Sequence, residues 1–210
     1  MTTLLAIIIA LIVLGLLVYF GWRLLSNRTE LPCPSWLAWM VEMDNPFTST
    51  NHASEIIKHL GLEPGMQVLD FGCGPGRLSI PLAQALKPGG AVTSVDIQPG
   101  MLERVRAKAG AAGLDNIHFV QAAAGDGKLG NAVFDRALLV TVLGEIPARE
   151  AALQEIYAAL KPGGILSITE IIFDPHFQTR QAVLRVAAAA GFHEQAFFGN
   201  SIAYTLHLEK

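Results

Sequence analysis

VLDFGCGPG, residues 68–76, decides the reading of this chain. Four strand residues, three of them apolar, run straight into a loop with glycine at 72, 74 and 76, and a helical pattern follows. Glycines at such a turn let the backbone approach a ligand where any Cβ would clash. The dinucleotide fingerprint G-x-G-x-x-G would need glycine at 77, where this chain has Arg77. It offers G-x-G-x-G instead, with Asp70 two residues before the first glycine. A carboxylate at that strand tip would repel a pyrophosphate and suits a cationic ligand group. The next strand, AVTSVD at 91–96, ends in Asp96, twenty residues after Gly76. An acid there suits a ribose, since one carboxylate accepts from both hydroxyls.

Outward from this loop, strands and helices alternate. Strands are expected at 66–72, 91–96, 117–122, 134–141 and 165–172, and two more at 194–199 and 202–209. Helices are expected at 48–60, 76–86, 99–112, 147–160 and 176–190. Lys87-Pro88-Gly89-Gly90 and Lys161-Pro162-Gly163-Gly164 read as turns. Strands spaced by helices imply an α/β, doubly wound, mostly parallel Rossmann-like sheet of seven strands. The last two strands follow each other directly, which implies a C-terminal antiparallel hairpin.

Composition removes several alternatives. Hydrophobic residues are 51 % and charged residues 16 %, which excludes a disordered chain. The two cysteines, Cys33 and Cys73, cannot build a disulfide framework or a cysteine-rich zinc site. A net charge of −3 gives no basic footprint for nucleic acid. His52 and His59 share one expected helix face but lack a third ligand, so no metal is expected.

Much of the apolar excess lies at the start. Leu4 to Trp22 is a run of 19 residues without a charge. As a helix it would extend about 28 Å, close to the hydrocarbon thickness of a bilayer. Tyr19 and Trp22 sit where an aromatic belt is expected, and Arg23 and Arg28 follow. The reading is a single-pass transmembrane helix within 1–25, with the remainder on the cytoplasmic side by the positive-inside bias. Residues 26–46 read as a juxtamembrane connector, and 47–210 as the catalytic domain. Within the connector, Trp36, Trp39, Met40 and Met43 fall at helical spacing. That stripe suits either an interfacial helix on the membrane or a helix packed on the domain.

DFGCGPG, SVDIQPGML, FDRALLV and LKPGGILSITE together resemble the class I S-adenosylmethionine-dependent methyltransferases, over about residues 47–210. The resemblance implies S-adenosyl-L-methionine as cofactor. It implies that Asp70, Gly72, Gly74 and Gly76 line its methionine and ribose portions, with Cys73 in the same loop. Asp96 would hold both ribose hydroxyls, and Ile97 and Met101 would sandwich the adenine. Val140, Ala123 and Ala124 would complete the lining. Many family members carry Gly-Asp-Ala after the third strand, whereas this chain reads Gln121-Ala122-Ala123-Ala124-Gly125-Asp126. Either Asp126 reaches back, or backbone groups near Ala123 meet the adenine alone.

Methyl transfer needs alignment above all, and a base only where the acceptor carries a proton. Candidates must lie at the carboxyl ends of the strands. Glu145 follows the fourth strand, and its alternative role is to complement a helix N-terminus. Glu170 lies near the end of the fifth, followed by Asp174-Pro175-His176, where His176 could act as base. Glu145 and His176 are the catalytic candidates. The expected function is methylation of a small lipophilic acceptor, quinone-like or lipid, by an enzyme held at the bilayer through residues 4–22. The alternatives are a membrane-protein or small-thiol acceptor, or a non-catalytic cofactor-binding module.

Overall fold

The structure is a computed structural model that describes residues 2–29, 38–45 and 48–210, with the side chains at 2, 3, 12, 16, 19, 22–29 and 40 outside that description. Seven strands form one sheet: β1 (Gln67–Phe71), β2 (Ala91–Asp96), β3 (Ile117–Gln121), β4 (Phe134–Val140), β5 (Leu160–Ile171), β6 (His193–Gly199) and β7 (Ala203–Glu209). Their spatial order is β3-β2-β1-β4-β5-β7-β6. The pairs from β3 across to β5 are parallel, and β7 runs antiparallel to both β5 and β6. The expected doubly wound sheet with a terminal hairpin is therefore present. The order reverses between β1 and β4, which opens a crevice at the carboxyl ends of the strands.

Helices cover both faces: α3 (Ala53–His59), α4 (Ser79–Ala85), α5 (Pro99–Ala111), α6 (Arg149–Ala159) and α7 (Arg180–Ala189). Strands buried on both faces need apolar residues at every position. Val68 and Leu138 face a core with Ile56, Leu82 and Val105, while their neighbours Leu69 and Leu139 face another with Leu153, Ile156 and Val183.

Several boundaries differ from expectation. The helix expected from 76 begins at Ser79, because Gly74 and Gly76 hold φ of +51° and +88° and the chain is still turning. The helix expected from 176 begins at Arg180, where the Thr179 hydroxyl accepts from Ala182 N at 3.3 Å. The helix expected from 48 is a 3-10 turn, Ser49–Asn51, followed by α3. Lys161 to Gly164 is a bulge inside β5 rather than a turn before it: Phe134 pairs with Leu160 and Arg136 with Ile165.

α1 (Thr2–Thr29) is one helix of 28 residues, longer than the apolar run because no proline or glycine interrupts 22–29. Its described apolar side chains, Leu4, Ile9, Leu14 and Leu17 among them, are exposed. Among the described residues, however, no helix is long and apolar enough to cross a membrane, so the expected transmembrane helix is not borne out there. Pro32, Cys33, Pro34 and Trp36 of the connector lie outside the described residues. α2 (Ala38–Glu42) is described over less than the helix expected at 35–43; Ala38 is buried, and Trp39 and, just past the helix, Met43 are exposed.

Candidate functional site

The glycine loop lies over the end of β2. Gly72 N and Cys73 N both donate to Val95 O, at 2.8 and 2.9 Å. Asp96 ties this crossing together: Oδ2 accepts from Gly74 N at 2.9 Å and Oδ1 from Gln98 N at 2.8 Å. Burial raises the Asp96 pKa, and the backbone donors of Gln98, Gly74 and Ile97 oppose this. Three glycines are required on different grounds. A Cβ on Gly72 would stand 2.5 Å from Val142 and one on Gly76 3.1 Å from Val105, whereas Gly74 is needed for its φ of +51°. Burial pushes the Cys73 thiol far up, so it remains a protonated small residue in the loop.

Asp70 sits beneath the loop, buried. Its Oδ2 accepts from Ser79 Oγ at 2.6 Å, and Ser94 Oγ donates to Ser79 Oγ at 2.9 Å. Burial pushes the carboxyl up to about 6, against the pull of Ser79 and Arg77. This chain fastens the start of α4 to β1 and β2, a role its position in the sequence did not disclose.

Beyond Asp96 the wall changes character. Ile97 is half exposed, while Met101, one turn into α5, is buried. Ala123 and Ala124 are half-buried at the end of β3. Asp126 Oδ2 accepts from Ala123 N at 3.0 Å, which holds this loop together. Val140 ends β4, half-buried against the core shared with Val68.

The connector is bolted to the other side of the loop. Lys108 Nζ pairs with Glu42 Oε1 and donates to Pro75 O at 2.8 Å. Arg77, where the dinucleotide pattern would have glycine, donates to Asp44 Oδ1 at 2.8 Å, Asn51 O at 2.6 Å and Asn51 Oδ1 at 3.0 Å. Val41 Cγ1 stands 3.9 Å from the point a Cβ on Gly74 would occupy. Val41 thus sits against the glycine loop, while Trp39 and Met43 of the expected stripe are exposed.

A second polar cluster forms where β4 and β5 end. Thr141, a β-branched residue, holds φ of +55°, a strained conformation, and hands over to a 3-10 turn, Leu143–Glu145. Gly144 packs on the next loop so closely that a Cβ would lie 2.0 Å from His176 O. His176 Nδ1 is 3.8 Å from both Glu145 Oε1 and Asp174 Oδ1. Glu170 Oε2 accepts from Gln178 N at 2.9 Å, and burial, with Asp174 and Glu145 nearby, pushes its carboxyl up to about 8. Glu145 and His176, 31 residues apart in sequence, are thereby brought together.

His52 and His59 have other work: His52 Nε2 meets Asn45 O at 2.9 Å, and the His59 ring stacks on Phe198 at 3.9 Å. Among the described residues no group of three or more His, Cys, Asp or Glu is placed to hold a metal ion.

The donor and acceptor set fits S-adenosylmethionine. The Asp96 carboxylate is held by backbone N–H groups at the end of β2 and keeps acceptor capacity for a ribose hydroxyl. The glycine loop presents backbone rather than side chains beside it, and half-exposed Ile97 offers an apolar face.

Comparison with known proteins agrees. A family described as a methyltransferase domain matches residues 62–202. The ubiquinone/menaquinone biosynthesis C-methyltransferase UbiE of Vibrio vulnificus is 31 % identical over 147 residues, covering 68 % of this chain and 54 % of that protein. A demethylmenaquinone methyltransferase of Staphylococcus aureus is 32 % identical over 115 residues, covering 55 % and 47 %. The chain spans about half the length of these curated relatives. The crystal structure of a SAM-dependent methyltransferase from Aquifex aeolicus superposes with a TM-score of 0.75, at 18 % identity, over 85 % of this chain and 99 % of that one. With its glycine loop, its Asp96 and this match over most of its length, the chain belongs to the methyltransferase domain family and is built on the S-adenosylmethionine-dependent methyltransferase fold.

Proposed function

We propose that this protein transfers a methyl group from S-adenosylmethionine to a small lipophilic acceptor, quinone-like, at a membrane surface. The observation that carries the reading is the pairing of the glycine loop with Asp96 at the carboxyl edge of the sheet, where Gly74 N and Gln98 N hold the carboxylate in place. When bound, the cofactor supplies a methyl group made electrophilic by its sulfonium. Asp96 orients the ribose, the glycine loop lets the backbone close on the methionine portion, and the ends of β4 and β5 face the acceptor. The acceptor class is supported by the names of the relatives, which act in ubiquinone and menaquinone biosynthesis.

Membrane association is supported by the sequence of α1: over the whole run 4–22, including Ile12, Leu16, Tyr19 and Trp22, no charge interrupts it. In this reading 1–25 is a single-pass anchor, 26–46 joins it to the domain, and 47–210 works on the cytoplasmic side, where Arg23 and Arg28 would hold it. Trp39 on α2 and Met43 just past it, both exposed, would then face the lipid surface.

The test uses membranes carrying the full chain, methyl-labelled S-adenosylmethionine and total lipid extract, with Gly74→Asp as the blank. Label in the organic phase, absent from the blank, is expected. Label only in protein or in the aqueous phase would overturn the lipophilic acceptor.

A further inference from the structure

We propose that Glu145, backed by His176, is the proton-accepting wall of the acceptor subsite, and that the acceptor presents an aromatic hydroxyl to it. This rests on the methyl-transfer reading above.

The cluster is unusual in what it leaves unpaired. His176 is 4 % exposed and Glu170 1 %. Among the described residues neither ring nitrogen of His176 has a hydrogen-bond partner, and neither has Glu170 Oε1. Buried polar groups are nearly always paired, and three orphaned atoms in one place point to a ligand or a proton that the resting arrangement lacks. The His176 ring stands just outside hydrogen-bond reach of two carboxylates, at 3.8 Å from each, so a small shift engages either. The backbone is built to hold this arrangement: the strained Thr141 precedes the turn that carries Glu145, and the Cβ-intolerant Gly144 lies within it.

Location ties the cluster to the cofactor loop. Val142 is the residue that a Cβ on Gly72 would strike. In a 3-10 turn residues three apart lie on the same side. Glu145 therefore rises from the side on which Val142 meets the glycine loop. The Glu145 and Asp174 side chains are 22 % and 17 % exposed, with His176 behind them, so an entering molecule meets the carboxylates first.

Carboxylates only accept hydrogen bonds, so the group that enters must donate. Exposed Phe173, beside Asp174 in the chain, offers an apolar rim that suits an aryl hydroxyl better than a hydrated ammonium. The charged and titratable groups facing the cluster are Glu170 from β5, Asp174 from the following loop and Arg149 from α6, which donates to Leu143 O and Gly144 O. Among the described residues Tyr204 of β7, whose hydroxyl donates to Gln178 O, and Arg180 of α7 also lie near it.

The step balances within the site. The hydroxyl proton passes to Glu145, with His176 placed to share it. The electron pair left on the aryloxide attacks the methyl carbon through oxygen or through a ring carbon. The carbon–sulfur bond breaks with its pair going to sulfur, which becomes a neutral thioether. In the ring-carbon case the displaced ring hydrogen returns to the oxygen. Glu145 touches the acceptor and is the catalytic residue; His176 acts through it and is a positioning residue.

The test needs no turnover. Full-length protein in detergent micelles is saturated with S-adenosylhomocysteine, and the affinities of 1-naphthol, 1-methoxynaphthalene and 1-naphthylmethylammonium are compared by calorimetry. The wild type is expected to prefer 1-naphthol over its methyl ether by about tenfold or more, the yield of a hydrogen bond to a charged acceptor. That ratio should fall close to one in Glu145→Met and drop severalfold in His176→Leu, with S-adenosylhomocysteine affinity unchanged in both. A purely structural role for His176 would weaken all three probes alike and leave the ratio intact. Equal affinities in the wild type, no binding of any probe, preference for the ammonium, or a full preference kept in Glu145→Met would overturn the proposal. Failure of the wild type to bind S-adenosylhomocysteine would instead remove the methyl-transfer reading itself, and this inference with it.

Discussion

Replacing Glu170 by glutamine should make the protein more stable at neutral and basic pH, and flatten the dependence of its stability on pH. Glu170 is 1 % exposed, and burial holds its carboxyl at about 8, against an ordinary 4.5. Between those values the native state keeps a proton that the unfolded chain has released. Stability therefore falls as pH rises through this window, by about 1.4 kcal/mol per unit once well inside it. From pH 6.5 to 8 the wild type should lose about 2 kcal/mol from this one group, or about 4–8 °C of melting temperature for a chain of this size. Glutamine keeps an oxygen for Gln178 N, which donates at 2.9 Å, and has no proton to lose. Asp70, held at about 6, contributes in the same direction but mostly at lower pH. His207, which burial holds at about 4, acts in the opposite direction and only below its ordinary 6.5. The difference between wild type and Glu170→Gln thus isolates the group. Melting of both proteins in detergent micelles at pH 6.5, 7.2 and 8.0 is the assay. Parallel curves would refute the reasoning, because they would mean that Glu170 is ionised in the native protein throughout.

Three further outcomes are expected. Asp96→Asn replaces one acceptor oxygen by a donor amide, and S-adenosylhomocysteine should bind about tenfold or more weakly by calorimetry; undiminished affinity would remove the ribose role. Gly144→Ala drives a methyl group to 2.0 Å from His176 O, which is backbone and cannot swing aside. It should cost about 1–3 kcal/mol in denaturant unfolding and abolish methyl transfer while S-adenosylhomocysteine still binds, and an unchanged midpoint would show that the two loops are not packed as described. Arg77→Met combined with Lys108→Met removes the pairs that hold Asp44 and Glu42. Chymotryptic cleavage at Trp39 should then accelerate severalfold, and an unaltered digestion rate would mean that these two pairs do not hold the connector.

Local pattern carried much of this protein. The apolar strands, the glycine loop and the acid at the end of β2 are written in adjacent residues, because a short parallel strand buried on both faces has no freedom of composition. The doubly wound sheet and its antiparallel end followed from the order of those elements. Boundaries were less legible where a side chain or a φ angle, rather than hydrophobic period, sets the limit. α4 starts late because two glycines are still in the left-handed region, and α7 waits for the Thr179 cap.

The sites separate along the same line. Asp96 could be read from the sequence because its place at a strand tip after a glycine loop fixes its geometry. Glu145 and His176 could be named only singly, since nothing in the 30 intervening residues says that two loops will meet. Glu170 stood out only as one acid in an apolar strand, and its raised pKa is a product of burial, with Tyr204 of β7 opposite it and Gln178 of the loop before α7 bonded to it. Arg77 was visible as a missing glycine, whereas its clasp on Asp44 and Asn51 needed the connector folded back over the loop. The sequence by itself determined which elements form and which strand ends carry chemistry, because both depend on neighbours along the chain. Only the tertiary structure decided which charged groups face one another and how deeply they are buried. Those depend on distance through space, and distance and burial set both the proton affinities and the site they serve.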